Sequence, residues 1–262
     1  ALSEAGATAA ITGRSPEALD RALNDLQPRE SVRGFLLDVR EESQAYRLVE
    51  QVNAAFGHID IWINNAGYSN AAGRMLDMDP QDALEMFRAN DLGLLYCTQA
   101  VLHDMLPRRT GLVVNIYGNG SFLRPASPTG LYGATKAWVS SFTRSLAVEL
   151  KGSGVRLLGF SPGMLTTDML THPVVVGDYG REILKNYGFV LRLLARPPEA
   201  AAQALVKAVA SSRREFEEVR LFKPWTPLLG LLRLGLENLT GRKHEPKFEL
   251  DLQPAYRSKF LK

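Results

Sequence analysis

Short apolar runs alternate along this chain with longer segments whose apolar residues recur every three to four positions. The runs have strand length, and the longer segments fit helices with one buried face. The pattern predicts strands over about 8–13, 32–37, 59–63, 112–117 and 155–160, with a weaker one near 218–222. Helices are predicted near 16–26, 41–56, 80–106, 131–152 and 198–211. Pro197-Pro198 before an alanine-rich run is a helix-start signal. Such alternation is the signature of a parallel sheet covered by helices on both faces. Asp38 and Asn65 then fall at carboxyl ends of strands, where open α/β sheets bind ligands.

Two stretches break the pattern. The segment 168–196 reads as irregular, and its apolar members Met169, Leu170, Val174, Val175, Val176 and Phe189 suit either a hydrophobic substrate or packing onto the body. Beyond residue 222 the residues Trp225, Leu228, Leu229, Leu232, Leu236 and Leu239 recur at helical spacing, with Lys223, Arg233, Arg242 and Lys243 around them. A helix lying on a membrane has this form, as does one covering a site mouth or a subunit interface. Gly230 and Gly235 weaken that helix in isolation, and the tail from Lys243 is polar and expected to be extended. The chain therefore divides into a main domain, 1–222, and an extension, 223–262.

Composition narrows the classes. A chain of 262 residues that is 45% hydrophobic can bury one sizeable core. A net charge of +3, dispersed along the chain, gives no footprint for nucleic acid. Cys97 is the single cysteine, which fits a reducing compartment and a cytoplasmic setting, with membrane association through 223–242 left open. The apolar stretch Pro227 to Leu236 is far short of the ~18 residues a membrane span needs. The four histidines have no ligand-like spacing, so no metal site is expected.

The candidate chemistry centres on Tyr132 and Lys136, four apart on a predicted helix and hence on one face. A lysine ammonium beside a phenol favours the phenolate and is expected to draw its pKa down from ~10. Around this pair stand Asn64-Asn65-Ala66-Gly67 after one apolar run, Asp38-Val39 after another, Asn90 before Leu92-Gly93, and Pro162-Gly163 before Thr166-Thr167-Asp168. This ordered set resembles the short-chain dehydrogenase/reductase family over residues 1 to about 210. The resemblance implies a Rossmann-like, doubly wound parallel sheet and hydride transfer between NADP(H) and a carbonyl or alcohol carbon of a small hydrophobic molecule. It assigns Tyr132 as acid/base, Lys136 to tuning and to the nicotinamide ribose, and Asn90 to a water link behind the lysine. It also places Asp38 and Val39 around the adenine, Asn65, Ala66 and Gly67 near its ribose, and Pro162, Gly163 and Thr167 at the nicotinamide end. Asn64 is expected to tie strands together. A homodimer or homotetramer, joined through the helix of Tyr132, is the oligomer it implies.

Arg14, directly after the first predicted strand, offers a planar fork suited to a 2′-phosphate, which favours NADP(H) over NAD(H). Two departures stand out. The family's serine position, two past Ile116, is Gly118, and the nearest hydroxyl is Ser121, eleven residues before Tyr132. One branch, which includes chlorophyll b reductases, shares Gly118-Asn119-Gly120-Ser121, Arg124-Pro125 and Ser161-Pro162-Gly163-Met164, and on that basis Ser121 takes the serine role. The second departure is the absence of the family's glycine-rich pyrophosphate loop. The expectation drawn from it is a sheet lacking its first strand and most of its first helix. Both departures also motivate a rival reading, a non-catalytic relative or inactive fragment that acts by binding.

Overall fold

The computed structural model describes residues 1–26, 31–69, 71–240 (Asn238 without its side chain) and 247–260. Its elements in chain order are β1 (Ala9–Gly13), α1 (Pro16–Asp25), β2 (Val32–Leu36), α2 (Glu42–Phe56), β3 (Ile61–Asn64), β4 (Ala71–Ala72), α3 (Pro80–Phe87), α4 (Gly93–Arg108), β5 (Gly111–Ile116) and α5 (Gly130–Glu149). After these come β6 (Val155–Ser161), α6 (Asp168–Thr171), β7 (Val174–Val176), α7 (Gly177–Ile183), α8 (Tyr187–Leu194), α9 (Pro198–Ser211), β8 (Phe216–Arg220), α10 (Thr226–Thr240) and β9 (Asp251–Gln253). All strand pairs are parallel.

The expected loss of the first strand and first helix is overturned. Ala9–Gly13 is a formed strand that pairs residue for residue with Val32–Leu36, and α1 follows it directly. The local cause is legible in the chain: Ser15 accepts the Ala18 N–H as N-cap, Pro16 opens the helix, and Leu19 is buried beneath it. Ala1 to Ala7 coils into hydrogen-bonded turns ahead of the strand. The strands do not form one sheet, however. They fall into a β1-β2 pair, a four-stranded sheet β3-β5-β6-β8, and a small sheet β4-β7-β9.

A shared core holds the first two sheets in register. Leu37, the α2 residues Ala45, Leu48 and Val49, the α4 residues Cys97 and Val101, and Val113 of β5 pack as one cluster. Leu112 and Val114 face the other way, with Leu158 and Phe160, against α9. Adjacent residues of β5 thus feed opposite cores, as the period of two demands. Leu112, Val113 and Val114 are 1%, 0% and 0% exposed. Burial of this kind is worth about 1.5–3 kcal/mol per side chain.

A line of buried amides crosses the sheet. Asn64 Nδ2 donates to Thr98 Oγ1 (2.9 Å) and Asn115 Oδ1 (2.8 Å), and Asn64 Oδ1 accepts from Trp62 Nε1. Asn115 Nδ2 continues it to Thr143 Oγ1 of α5 at 2.9 Å. Asn64 therefore ties strands and helices together, as its sequence context suggested.

The segment 168–196, expected to be irregular, instead forms α6, β7, α7 and α8. The tail is likewise more than an extended strand of polar residues, because β9 pairs with β7 and Phe248 packs edge-on against Tyr187. Arg242 and Lys243, named above as flanking cations, lie outside the described residues. Among the described residues no helix is long and apolar enough to cross a membrane.

Replacing Asn64 by alanine removes partners from Trp62, Thr98 and Asn115 at once. The expected loss is about 2–3 kcal/mol in urea unfolding at unchanged slope, and an unchanged midpoint would contradict the role given to this network.

Candidate active site

Three carboxyl strand ends and the start of α5 meet at one place. The helical pattern that runs from residue 80 to 108 is not one continuous α-helix: Arg88–Leu92 forms a π-helical turn between α3 and α4. The extra residue in such a turn re-aims its side chains. Asn90 and Asp91 are both buried as a result, at 1% and 0% exposure.

Asn90 brackets the loop after β3. Its Oδ1 accepts the Tyr68 N–H (2.6 Å), while its Nδ2 donates to the Tyr68 carbonyl (2.8 Å) and to Thr135 Oγ1 (3.0 Å). One amide thus fixes the loop Asn65 to Tyr68 against α5, next to Lys136. A methyl group placed on Gly67 would lie 3.6 Å from Lys136 Nζ and 3.7 Å from Asn90 Oδ1. Asn65, Ala66 and Gly67 are otherwise exposed, so this loop presents an open face beside the lysine.

Lys136 is buried and donates from Nζ to the Ile116 carbonyl at 3.1 Å. Its ammonium lies 5.8 Å from the centre of the Tyr132 ring. Burial lowers the lysine to about 8, against an opposing pull from the Asp91 carboxylate. The phenol does not follow the sequence expectation of a lowered pKa. Burial pushes Tyr132 up to about 12, because withdrawal from water outweighs an ammonium at this distance.

The loop 118–121 is pressed onto α5. Gly120 has φ of +98°, and a Cβ there would stand 2.1 Å from the Gly133 carbonyl oxygen. Glycine is therefore required by both conformation and space. A Cβ on Gly118 would stand 2.6 Å from the Tyr132 hydroxyl, so any larger residue at this position would press on the phenol. Ser121 is fully buried, accepts the Gly118 N–H at 3.1 Å and donates to the Lys136 carbonyl at 2.9 Å.

The remaining predicted residues lie around this centre. Asp38 is clamped by Arg40 at 2.6–3.1 Å, which holds its carboxyl below the usual range, and Arg40 also reaches Glu85 at 2.8 Å. Arg14 is exposed at the end of β1, and its charge is felt by both Asp38 and Tyr68. Val39 seats on Gly93, where any Cβ would meet it at 2.8–2.9 Å. Pro162 and Gly163 follow β6, with Gly163 at φ +83° facing Phe222, and Thr167 is exposed at the start of α6. Sequence reasoning missed Tyr68, Thr135 and Asp91, which act here through main-chain atoms, a helix hydroxyl and a buried charge. Of these only Asp91 carried a signal, a carboxylate in an otherwise apolar helical stretch. No cluster of metal-ligating side chains occurs among the described residues.

The family model described as short chain dehydrogenase matches residues 1–173. The chain is similar to chlorophyll(ide) b reductase NOL of Arabidopsis thaliana, with 36% identity over 211 residues, 78% of this chain and 58% of that protein. It is also similar to sulfoacetaldehyde reductase 2 of Chromohalobacter salexigens, with 32% identity over 64% of this chain and 66% of that protein. The chain thus spans about three fifths to two thirds of the length of these relatives. Among solved structures it is similar to a short-chain dehydrogenase from Streptomyces avermitilis, with TM-score 0.71 and 25% identity, covering 91% of this chain and 88% of that one. It also matches the closed form of a serine dehydrogenase complexed with NADP+, with TM-score 0.64 and 25% identity over 82% of this chain and 86% of that one. With two thirds of its length inside the family model and the Tyr132–Lys136–Asn90 cluster assembled at the strand ends, the chain belongs to the short chain dehydrogenase family.

Proposed function

We propose that this protein is an NADP(H)-dependent oxidoreductase acting on the carbonyl or alcohol carbon of a hydrophobic small molecule. The observation that carries this reading is the convergence on one point of Tyr132, the Lys136 ammonium and the Asn90-held loop at the carboxyl ends of β3 and β5. Similarity to a structure complexed with NADP+ supports the choice of cofactor, and similarity to a chlorophyll(ide) b reductase supports a hydrophobic substrate.

The residues present fit the cofactor at two ends. Arg14 stands exposed and free to fork a 2′-phosphate beside Asp38 and Val39. Asn65 to Gly67 offer an open edge next to Lys136 for a ribose, and Pro162, Gly163 and Thr167 follow the carboxyl end of β6. Bound NADPH supplies the hydride. Tyr132 supplies the proton to the substrate oxygen, on which negative charge grows during reduction. Lys136 steadies that charge and sits close enough to Gly67 to hold a ribose hydroxyl. Asn90 orders the loop and α5 around the lysine. Ser121, expected from the resemblance to donate to the substrate oxygen, has its proton directed to the Lys136 carbonyl, so its part in this reading is to lock Gly118 and α5 together.

The exposed apolar side of α10 favours a second reading for the extension, a membrane-surface contact. Trp225, Leu228, Leu232, Leu236 and Leu239 are all more than half exposed, whereas Gly230 on the opposite side packs directly on the Leu193 backbone. A helix docked by one face with leucines on the other suits an acyl boundary.

Two outcomes are expected. Tyr132→Phe should lower turnover of an aromatic aldehyde by about a hundredfold or more while NADPH binding is retained; turnover within threefold of about the wild-type rate would remove the tyrosine from the chemistry. Leu232→Glu with Leu236→Glu should lower co-sedimentation with liposomes by about tenfold or more. Unchanged sedimentation would sink the membrane reading, and loss of self-association instead would mark the face as a subunit interface.

A further inference from the structure

Among the described residues, Asp91 is the one buried charge that the proposed chemistry leaves without a task. Its side chain is 0% exposed, and neither carboxylate oxygen has a hydrogen-bond partner among the described residues. A buried, unbonded carboxylate is costly, on the order of several kcal/mol when ionised. Folding retains it in the turn that also carries Asn90. A neutral side chain of similar size would fill the same space without that penalty.

The surroundings say what it faces. The π-helical turn packs against α3, α4 and α5. On α3, Glu85 is turned away to Arg40 and Arg88. On α4, Tyr96 and Cys97 belong to the core shared with α2, and His103, Asp104 and Arg108 lie at the far end. On α5, Arg144 pairs with Glu218 and Glu149 closes the far end, so Tyr132 and Lys136 remain; Asp82 of α3 lies in that helix's first turn, away from the π-helical turn. Asn90 bonds to Thr135, the neighbour of Lys136, which brings the turn and the lysine side by side. Asp91 and Lys136, at 0% and 4% exposure, are the two charged side chains that are buried among the described residues.

We propose that Asp91 is a positioning residue for the reaction, the buried counter-charge to the Lys136 ammonium beside Tyr132. The proposal deepens the oxidoreductase reading and rests on it for its functional consequence. The Lys136 Nζ has a neutral carbonyl, that of Ile116, as its hydrogen-bond acceptor. In a site withdrawn from water, a nearby carboxylate is what offsets the tendency of the ammonium to shed its proton. The carboxylate in turn is raised to about 7 by burial and held back by the lysine, so the two titrate as a pair.

The sign follows from this pairing. Lys136 loses its charge as pH rises through about 8. Removing the carboxylate removes the interaction that raises it, so the lysine must deprotonate at lower pH. The test is NMR titration of 13Cε-labelled lysine in the full chain, with the Lys136 signal assigned by its absence from Lys136→Met. In Asp91→Asn the Lys136 midpoint is expected to fall by about one pH unit or more. The high-pH limb of kcat/KM should move down with it, and Asp91→Glu should restore part of both.

A Lys136 midpoint that is unchanged or raised in Asp91→Asn overturns the proposal. The wild-type protein supplies a second check that needs no variant to fold: its Lys136 signal should respond in two steps, one of them from Asp91, and a single step at the ordinary lysine value overturns the proposal as well. The NMR readout does not depend on turnover. An inactive protein with a shifted midpoint would refute the enzymatic reading and leave the pairing intact.

Discussion

The arrangement of the site depends on one side chain, the amide of Asn90. It satisfies both the N–H and the C=O of Tyr68 and reaches Thr135 of α5 with its second proton. A loop that leaves a sheet carries backbone groups that need partners. The amide supplies the donor and the acceptor together, which no aliphatic side chain and no single hydroxyl does with this span. The π-helical turn makes this reach available by aiming Asn90 inward where a regular helix would rotate it away. Loop, turn and helix are then one rigid unit, and Tyr132 and Lys136 inherit their placement from it.

Beneath this unit the protein joins two parallel sheets through side chains. No described strand bridges β1 and β3, so the union rests on the apolar cluster shared by α2, α4 and β5. The amide line from Trp62 through Asn64 and Asn115 to Thr143 adds direction to that cluster, since buried polar groups accept few alternative partners. Its last member lies on α5, the helix of the site. Core and site are therefore mechanically continuous, and the strand ends hold their position below the Asn65 to Gly67 loop.

Much of this was legible in the sequence because the main strands and helices are set by local periodicity. The buried run Leu112 to Ile116 and the amphipathic α2 fell within a residue or two of their observed bounds. β4, β7 and β9 were not legible, because two or three residues carry no period and their pairing is between distant segments. The π-turn was hidden since five residues inside a continuous helical pattern do not betray an added residue. The expectation of a lost first strand came from the absent glycine loop alone, whereas the periodicity at 8–13 and 16–26 already marked the segments that form β1 and α1. The phenol's upward shift was missed for a related reason: spacing places the lysine near the tyrosine, but how far both are withdrawn from water is a property of the fold.

The central claim is that these residues make a nucleotide site that reads a 2′-phosphate. Fluorescence titration of the chain with NADPH and, in parallel, with NADH tests it most directly. The account predicts saturable binding of both, with NADPH tighter by about tenfold or more, equivalent to ~1.4 kcal/mol. Failure of NADPH to saturate a folded chain, or equal affinity for the two, would contradict it.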